Sequence, residues 1–432
     1  MLAGTDRSSY ANFPVSHYDV STMKFFRESL SSHWKRTLYI MFFAQLMTGV
    51  GYSSIFPFLP LYVKELGSTT GLSIELLAGL VYSTQAFSMM IASPIWGTLA
   101  DRYGRKLMVE RAMFGSAILL LLMAFVRSAE ELILLRTVQG LVTGVVGAAN
   151  ALVASEAPRE RSGYAMGLLQ MGLGTGIAFG PMIGGALADA FSYAVVFYVT
   201  GALLFLAGAT VLVGVKEEFV PIDAPVEKGK GFIVKWREIF SIPGVFMAYS
   251  MNFMAQLGRM MIIPIIPLFV EMLLVESDTL NTFTGLVTGV SSAATTLCAV
   301  YFGRLGDRVG HRRILISSLF FSACMYLPQS LVEEGWQLLI LYALVGVGLG
   351  GIIPSVNALL AHYTLPGEEG AVYGLDNSIR AGARSLAPML GSGLALWFGL
   401  RGTFVATALV FVFAGFLAYW RLPKHGSVSS AS

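Results

Sequence analysis

The feature that most limits what this chain can fold into is a succession of long apolar runs. Crossing ~30 Å of hydrocarbon as an α-helix takes about 20 apolar residues. Such runs fall at 37–63, 75–100, 107–126, 132–154, 163–188, 193–215, 244–270, 282–303, 313–330, 335–361, 370–396 and 401–420. They are numbered spans 1–12 below. Lipid offers backbone N–H and C=O groups no partner, so each run has to satisfy its own as a helix. The expected fold class is therefore an all-α membrane protein with twelve transmembrane helices. The first 33 residues are polar, which makes the first apolar run a span and not a cleaved leader.

Composition narrows the function. Hydrophobic residues make up 55% of the chain and charged residues 13%, with a mean hydropathy of +0.68; a soluble domain carries roughly 25% charged residues. A net charge of +3 is too small to suggest a nucleic-acid partner. Cys298 and Cys324 sit inside apolar runs and read as buried packing thiols, with no disulfide framework and no metal site. There is no P-loop, HExxH, CxxC or nucleophile elbow, so neither ATP drive, a cofactor, a metal nor a catalytic centre is expected.

Basic residues set the orientation. With the N-terminus in the cytoplasm, 22 of the 29 Lys and Arg fall on cytoplasmic segments or the cytoplasmic ends of spans. Lys64, Arg127 and Arg401 fall on outer loops, and Arg136, Arg259, Arg380 and Arg384 lie within spans. Both termini are thus expected in the cytoplasm of an inner-membrane, multi-pass protein. The one long connection, 216–243, is charged and Pro-containing, and reads as a cytoplasmic linker with an amphipathic segment near Phe232–Phe240.

The chain repeats itself at an offset close to 207 residues. PFLPLYV at 57–63 pairs with PIIPLFV at 264–270, and the pattern Gly97-x3-Asp101-Arg102-x-Gly104 pairs with the one at 303–310. NAL at 150–152 pairs with NAL at 357–359, and Gly180-Pro181-x2-Gly184 with Ala387-Pro388-x2-Gly391. Six spans separate the copies, an even number, so both halves enter the membrane the same way. Parallel halves of that kind are used by transporters with two six-helix lobes. The expected organisation is a tail at 1–34, a lobe at 35–215, the linker at 216–243, a lobe at 244–421 and a tail at 422–432.

The most specific motif is Gly97-Thr-Leu-Ala-Asp101-Arg102-Tyr-Gly104-Arg105-Lys106, in a tight loop between spans 2 and 3. Glycine permits the reversal, an acid there can face a helix N-terminus, and the basic residues hold the loop in the cytoplasm. In span 5, Gly172, Gly176, Gly180 and Gly184 recur every fourth residue beside Pro181 and Gly185. That makes a smooth face for close helix packing, read either as a gate at the lobe interface or as static packing.

At these residues the chain resembles the major facilitator superfamily. Leu134-x-Arg136-x-x-Gln139-Gly140 in span 4 resembles the corresponding motif of drug:proton antiporters. Gly176-x3-Gly180-Pro181-x2-Gly184-Gly185 resembles the antiporter motif associated with exporters. The likeness runs over residues 35–421 and is strongest to bacterial twelve-helix multidrug exporters. It implies a cytoplasmic latch in which Asp101 sits against the span 11 N-terminus and Arg105 pairs with Glu156. Asp307 is the second copy of the acid, with His311 in place of Arg105 and Tyr363 in place of Glu156, so the latch should be asymmetric.

Polar residues inside spans are costly and mark function by default. Gln45, Thr48 and Tyr52 line up in span 1. Arg136, Gln139, Thr143 and Asn150 do so in span 4, Tyr249, Asn252, Gln256 and Arg259 in span 7, and Asp376, Arg380 and Arg384 in span 11. These stripes are expected to face a shared cavity, with Gln45, Tyr52, Arg136, Gln139, Asn252, Gln256, Arg259 and Arg380 binding substrate. Arg136 and Arg384 lie nearest the outer ends and are expected to snorkel. Asp376 is the one clear acid within a span. It is either a proton site or the fixed partner of Arg380. The expected function is export of small organic molecules by proton antiport, by a monomer. Uptake of an organic anion by symport, or a receptor that moves nothing, are the alternatives.

Overall fold

The computed structural model describes residues 20–158, 161–217, 244–274, 278–363 and 369–422. The linker segment near Phe232–Phe240 lies outside the described residues. Among the described residues fourteen helices follow one another: α1 (Val20–Ile55), α2 (Leu59–Leu66), α3 (Ile74–Tyr103), α4 (Arg105–Met123), α5 (Ala129–Val142), α6 (Val145–Glu156), α7 (Ser162–Ala190), α8 (Tyr193–Gly214), α9 (Val245–Met261), α10 (Ile265–Leu273), α11 (Leu280–Val309), α12 (His311–Gln329), α13 (Gly335–Tyr363) and α14 (Glu369–Arg421). They map onto the twelve spans through breaks that the sequence explains. Span 1 divides into α1 and α2 at Pro57, and span 7 into α9 and α10 at Pro264, because proline withholds an N–H from the helix ladder. The chain tightens there, with Phe58 N bonding Ile55 O at 3.3 Å and Ile265 N bonding Ile262 O at 3.0 Å. Span 4 divides into α5 and α6 at Gly144, whose φ of 137° is open to glycine alone. Its repeat, span 10, runs unbroken as α13. Spans 11 and 12 are both inside α14, separated by non-helical Gly399.

Nine helical stretches among the described residues are long and apolar enough to cross a membrane. The stretch Leu375–Arg421 holds two spans, and α4 and α12, each 19 residues, open on basic residues that dilute their apolarity. The outer surface agrees: Val213, Leu297 and Trp397 are largely exposed, as lipid-facing side chains are. Cys324 is exposed too, on that same kind of surface, contrary to the expected buried thiol.

Each buried apolar cluster draws its buried residues from one half of the chain. Two lie in the first half, around Phe58 and Phe197 and around Met41 and Met113. One lies in the second half, around Phe269, Tyr326 and Phe411. The halves also close their own ends alike. Lys106 Nζ donates to Leu212 O at 2.9 Å, and Arg312, its repeat counterpart, donates to Tyr419 O at 2.5 Å and Leu422 O at 3.1 Å. In both, a cation meets the negative end of the last helix of its half.

Across the halves α7 packs on α11, α3 on α14, and α2 on α10. These seams are tightest at the end opposite the signature loop, called the far end here. A Cβ at Gly285 would overlap the Pro181 carbonyl, and one at Gly79 would stand 2.9 Å from the Pro388 carbonyl. The closest glycine contacts between the halves thus lie at the far end, which is shut.

Candidate substrate cavity

A cavity of about 570 Å³ lies between the halves, within the range that suits a drug-sized ligand. Its first-half wall comes from Tyr52 on α1, Tyr82, Gln85, Met89 and Ser93 on α3, and Arg136 on α5. The second half gives Met260 on α9 and Ile263 just after it, then Leu375, Asn377, Ser378, Ala381 and Arg384 on α14. The α5–α6 break, Thr143 to Val146, completes the wall. Irregular backbone at membrane depth is tolerated where it lines such a space, which accounts for a break in span 4 that its repeat lacks.

The polar lining is an arginine pair, two tyrosines and uncharged amides and hydroxyls, with no acid among its residues. Arg136 is 2% exposed, and its one described hydrogen bond runs from Nη1 to Gln139 Oε1 at 2.8 Å. Its Nε and Gln139 Nε2 are buried with no protein partner. Tyr52 Oη is held by Ser116 at 2.7 Å and Thr143 at 2.8 Å, and Tyr82 Oη donates to Phe56 O at 2.8 Å. Arg384 enters from α14, within electrostatic reach of Arg380 and Arg259. Both arginines line the cavity, whereas their positions along the spans suggest snorkelling. A guanidinium that is buried without an acid calls for water or an anionic ligand.

Behind the α14 wall lies a second polar cluster. Asp376 is 3% exposed. Its Oδ1 accepts from Asn252 Nδ2 at 2.5 Å and its Oδ2 pairs with Arg380 Nη2 at 2.6 Å. Arg380 Nη2 also donates to Asn357 Oδ1 at 2.5 Å. The acid thus joins α9, α14 and, through Arg380, α13, and lies about two helical turns from the cavity arginine Arg384. Gln256 and Arg259 are half-buried on α9 and outside the cavity lining, and Gln45 is buried in α1 away from it. The stripe Tyr82, Gln85, Met89 and Ser93 was missed from the sequence, although its spacing of three and four on span 2 carries the same signal as the stripes that were read.

Of the latch residues, Gly97 and Arg102 lie in the last two turns of α3, and Gly104 turns the chain into α4 at φ 99°. Asp101 lies in the last turn of α3, and its side chain is outside the described set. The Arg105 and Lys106 amides donate to Glu217 at 2.9 and 2.8 Å, a carboxylate on a helix N-terminus that the sequence did not single out. Glu156 ends α6. Asp307 pairs with His311 at 3.0 Å across the second copy of the loop.

The glycine motif has two faces. Gly172, Gly176, Gly180 and Gly184 pack on α1 of the same half: a Cβ at Gly176 would stand 2.5 Å from Leu46 O, and one at Gly184 would overlap Ser54 O. Gly185 instead abuts the Asn281 carbonyl of α11, with Pro181 against Gly285. The four-residue stripe is packing within a half, and the other face of the motif makes the seam between halves.

The Major Facilitator Superfamily profile matches residues 41–273 and 248–432. The chain is 35% identical over 396 residues to the multidrug resistance protein MdtG of Serratia proteamaculans, covering 91% of this chain and 95% of that protein. It is also 35% identical over 385 residues to the MdtG of Escherichia fergusonii, covering 88% and 93%. In fold it is similar to a bacterial homolog of the human lysosomal transporter Spinster in an inward-facing, occupied conformation: TM-score 0.73, 16% identity, 88% and 95% covered. The human organic anion transporter MFSD10 is similar at TM-score 0.64 and 16% identity, with 89% and 99% covered.

Proposed function

The chain belongs to the Major Facilitator Superfamily, a multi-pass membrane transporter and not an enzyme, and from that premise we propose that it exports small amphipathic organic molecules, anionic ones among them, by proton antiport. Relatives named multidrug resistance proteins support efflux. The observation that carries the substrate class is the acid-free, aromatic cavity holding Arg136 and Arg384. Two guanidiniums and no carboxylate favour an anionic group, and Tyr52, Phe56 and Tyr82 favour a flat apolar body beside it. The two lobes, 35–215 and 244–421, rock about this site, with both termini and the linker in the cytoplasm. The state described here then opens inward. Asp376 carries the proton. Protonation removes the charge that Arg380 faces and disturbs the Asn252–Asp376–Arg380–Asn357 chain that ties three helices.

One observation favours a second reading. Protonating Asp376 adds one net positive charge about two helical turns from Arg384 on the same helix, and that attracts an anion instead of expelling it. Such linkage suits proton–anion symport. Inverted and right-side-out vesicles with an imposed pH gradient separate the two. Antiport accumulates an aromatic carboxylate probe in inverted vesicles acidified inside. Symport accumulates it in right-side-out vesicles acidified outside. Transport of a matched quaternary ammonium with no transport of the carboxylate would overturn the substrate class. Asp376→Asn should stop uphill accumulation while preserving probe exchange, and accumulation by that variant would move the proton site elsewhere.

A further inference from the structure

The two seams between the halves share a backbone design, yet one of them carries a device the other lacks. At the far end of the α7–α11 seam, the Asp189 carboxylate sits on the N-terminus of α11. Its Oδ1 accepts from Asn281 N at 3.1 Å and Asn281 Nδ2 at 2.8 Å, and its Oδ2 accepts from Thr282 N at 2.6 Å. The residue before α11, Thr279, makes no side-chain cap of its own. A helix of 30 residues from the second half is therefore capped by an acid of the first half. On the α3–α14 seam the repeat positions hold Leu396 for Asp189 and Ile74 for Asn281, and nothing of the kind can form.

We infer that Asp189 is the far-side latch of the transport cycle: its carboxylate on the α11 N-terminus holds the cavity closed at the far end and biases the resting protein toward the state open at the signature loop. The inference rests on the alternating-access reading above. Three donors converge on this carboxylate, two of them backbone amides whose geometry is fixed by the helix. All three donors belong to the opposite half, so the bonds exist only while the far end is shut. The neighbouring link between halves, Lys64 with Glu271 at 2.9 Å, is solvent-exposed on both sides and so contributes little by itself. The bias is therefore assigned to Asp189. The tight glycine approaches at Gly185, Gly285 and Gly79 let the far end close, and Asp189 weights the equilibrium toward closure.

The test is accessibility, which needs neither substrate nor proton gradient and so can fail independently of the transport reading. With Cys298 and Cys324 replaced by Ala, Met89→Cys places one thiol in the cavity wall. A membrane-impermeant maleimide is applied to right-side-out and inverted vesicles. Asp189→Asn keeps the size and removes the charge. It should raise labelling from the far side roughly tenfold and lower labelling from the signature-loop side in proportion. Unchanged rates, or an increase from both sides together, would overturn the latch, since general loosening moves both. A second measurement does not depend on how Asp189→Asn folds. Oxidised Asp189→Cys/Asn281→Cys should drop far-side labelling of the Met89→Cys thiol to background until reductant is added. Undiminished far-side labelling of the crosslinked protein would overturn the inference as well.

Discussion

Arg136 shows what a single side chain can demand of its surroundings. Its guanidinium is buried beside Gln139, with Nε lacking a protein partner, and an uncompensated buried ion costs several kcal/mol. A ligand anion that supplies the missing bonds recovers roughly 1.5–3 kcal/mol per charged hydrogen bond. Arg136→Ala should therefore raise the apparent KM for an anionic probe roughly 10- to 100-fold, with Arg136→Lys intermediate because it keeps the charge and loses the planar fork. Concentration dependence of probe uptake measures both; equal KM for all three proteins would remove Arg136 from the site. The sequence shows that four arginines lie within spans away from their cytoplasmic ends, and it orders them by distance from the helix ends. That ordering makes Arg136 and Arg384 snorkellers, because it treats a span as a straight rod in lipid. It contains nothing about Tyr52, Tyr82 and Gln85, which wall Arg136 in from other helices. The Asp376–Arg380 pair is legible because both partners sit on one helix four residues apart. Their ties to Asn252 and Asn357 cross between helices and are not.

At the scale of elements, α7 is the most instructive helix. The four-residue glycine spacing is plain in the sequence, and it states that some helix approaches closely. Which helix approaches depends on azimuth around α7, and one residue, about 100° of turn, separates Gly184 on α1 from Gly185 on α11. The two positions should respond differently to the same change. Gly184→Ala collides with Ser54 in a contact kept within one half, and overpacking of that kind costs about 1–3 kcal/mol. Its thermal unfolding temperature in detergent should fall. Gly185→Ala collides with Asn281 of the other half, a contact that opening can relieve. It should fold with little loss of melting temperature and shift cavity labelling toward the far side. If both variants lost stability alike with no change in labelling, the division of the motif into two faces would fail.

For the whole molecule, hydropathy alone carries twelve spans, and the repeat carries their arrangement in two halves. The proline breaks at Pro57 and Pro264 recur at the repeat offset and are visible as PFLP and PIIP. The break at Gly144 and the choice of which end is shut are not, since both are set by contacts between distant helices. Sidedness comes from the Lys and Arg count. Cysteines placed at Ser8, Glu227 and Ser430 should accordingly resist membrane-impermeant thiol reagents in intact cells and react after permeabilisation. Labelling of any of them from outside would reverse the assignment.

Lys64 and Glu271 are 207 residues apart, the period of the repeat itself, and they meet each other across the junction of the halves. A position on a two-fold axis meets its own copy. In a symmetric pair of identical six-helix chains, Lys would face Lys there, or Glu would face Glu, and repel. The attraction seen here requires the two copies to differ, so it is open to halves of unlike sequence and closed to a symmetric pair.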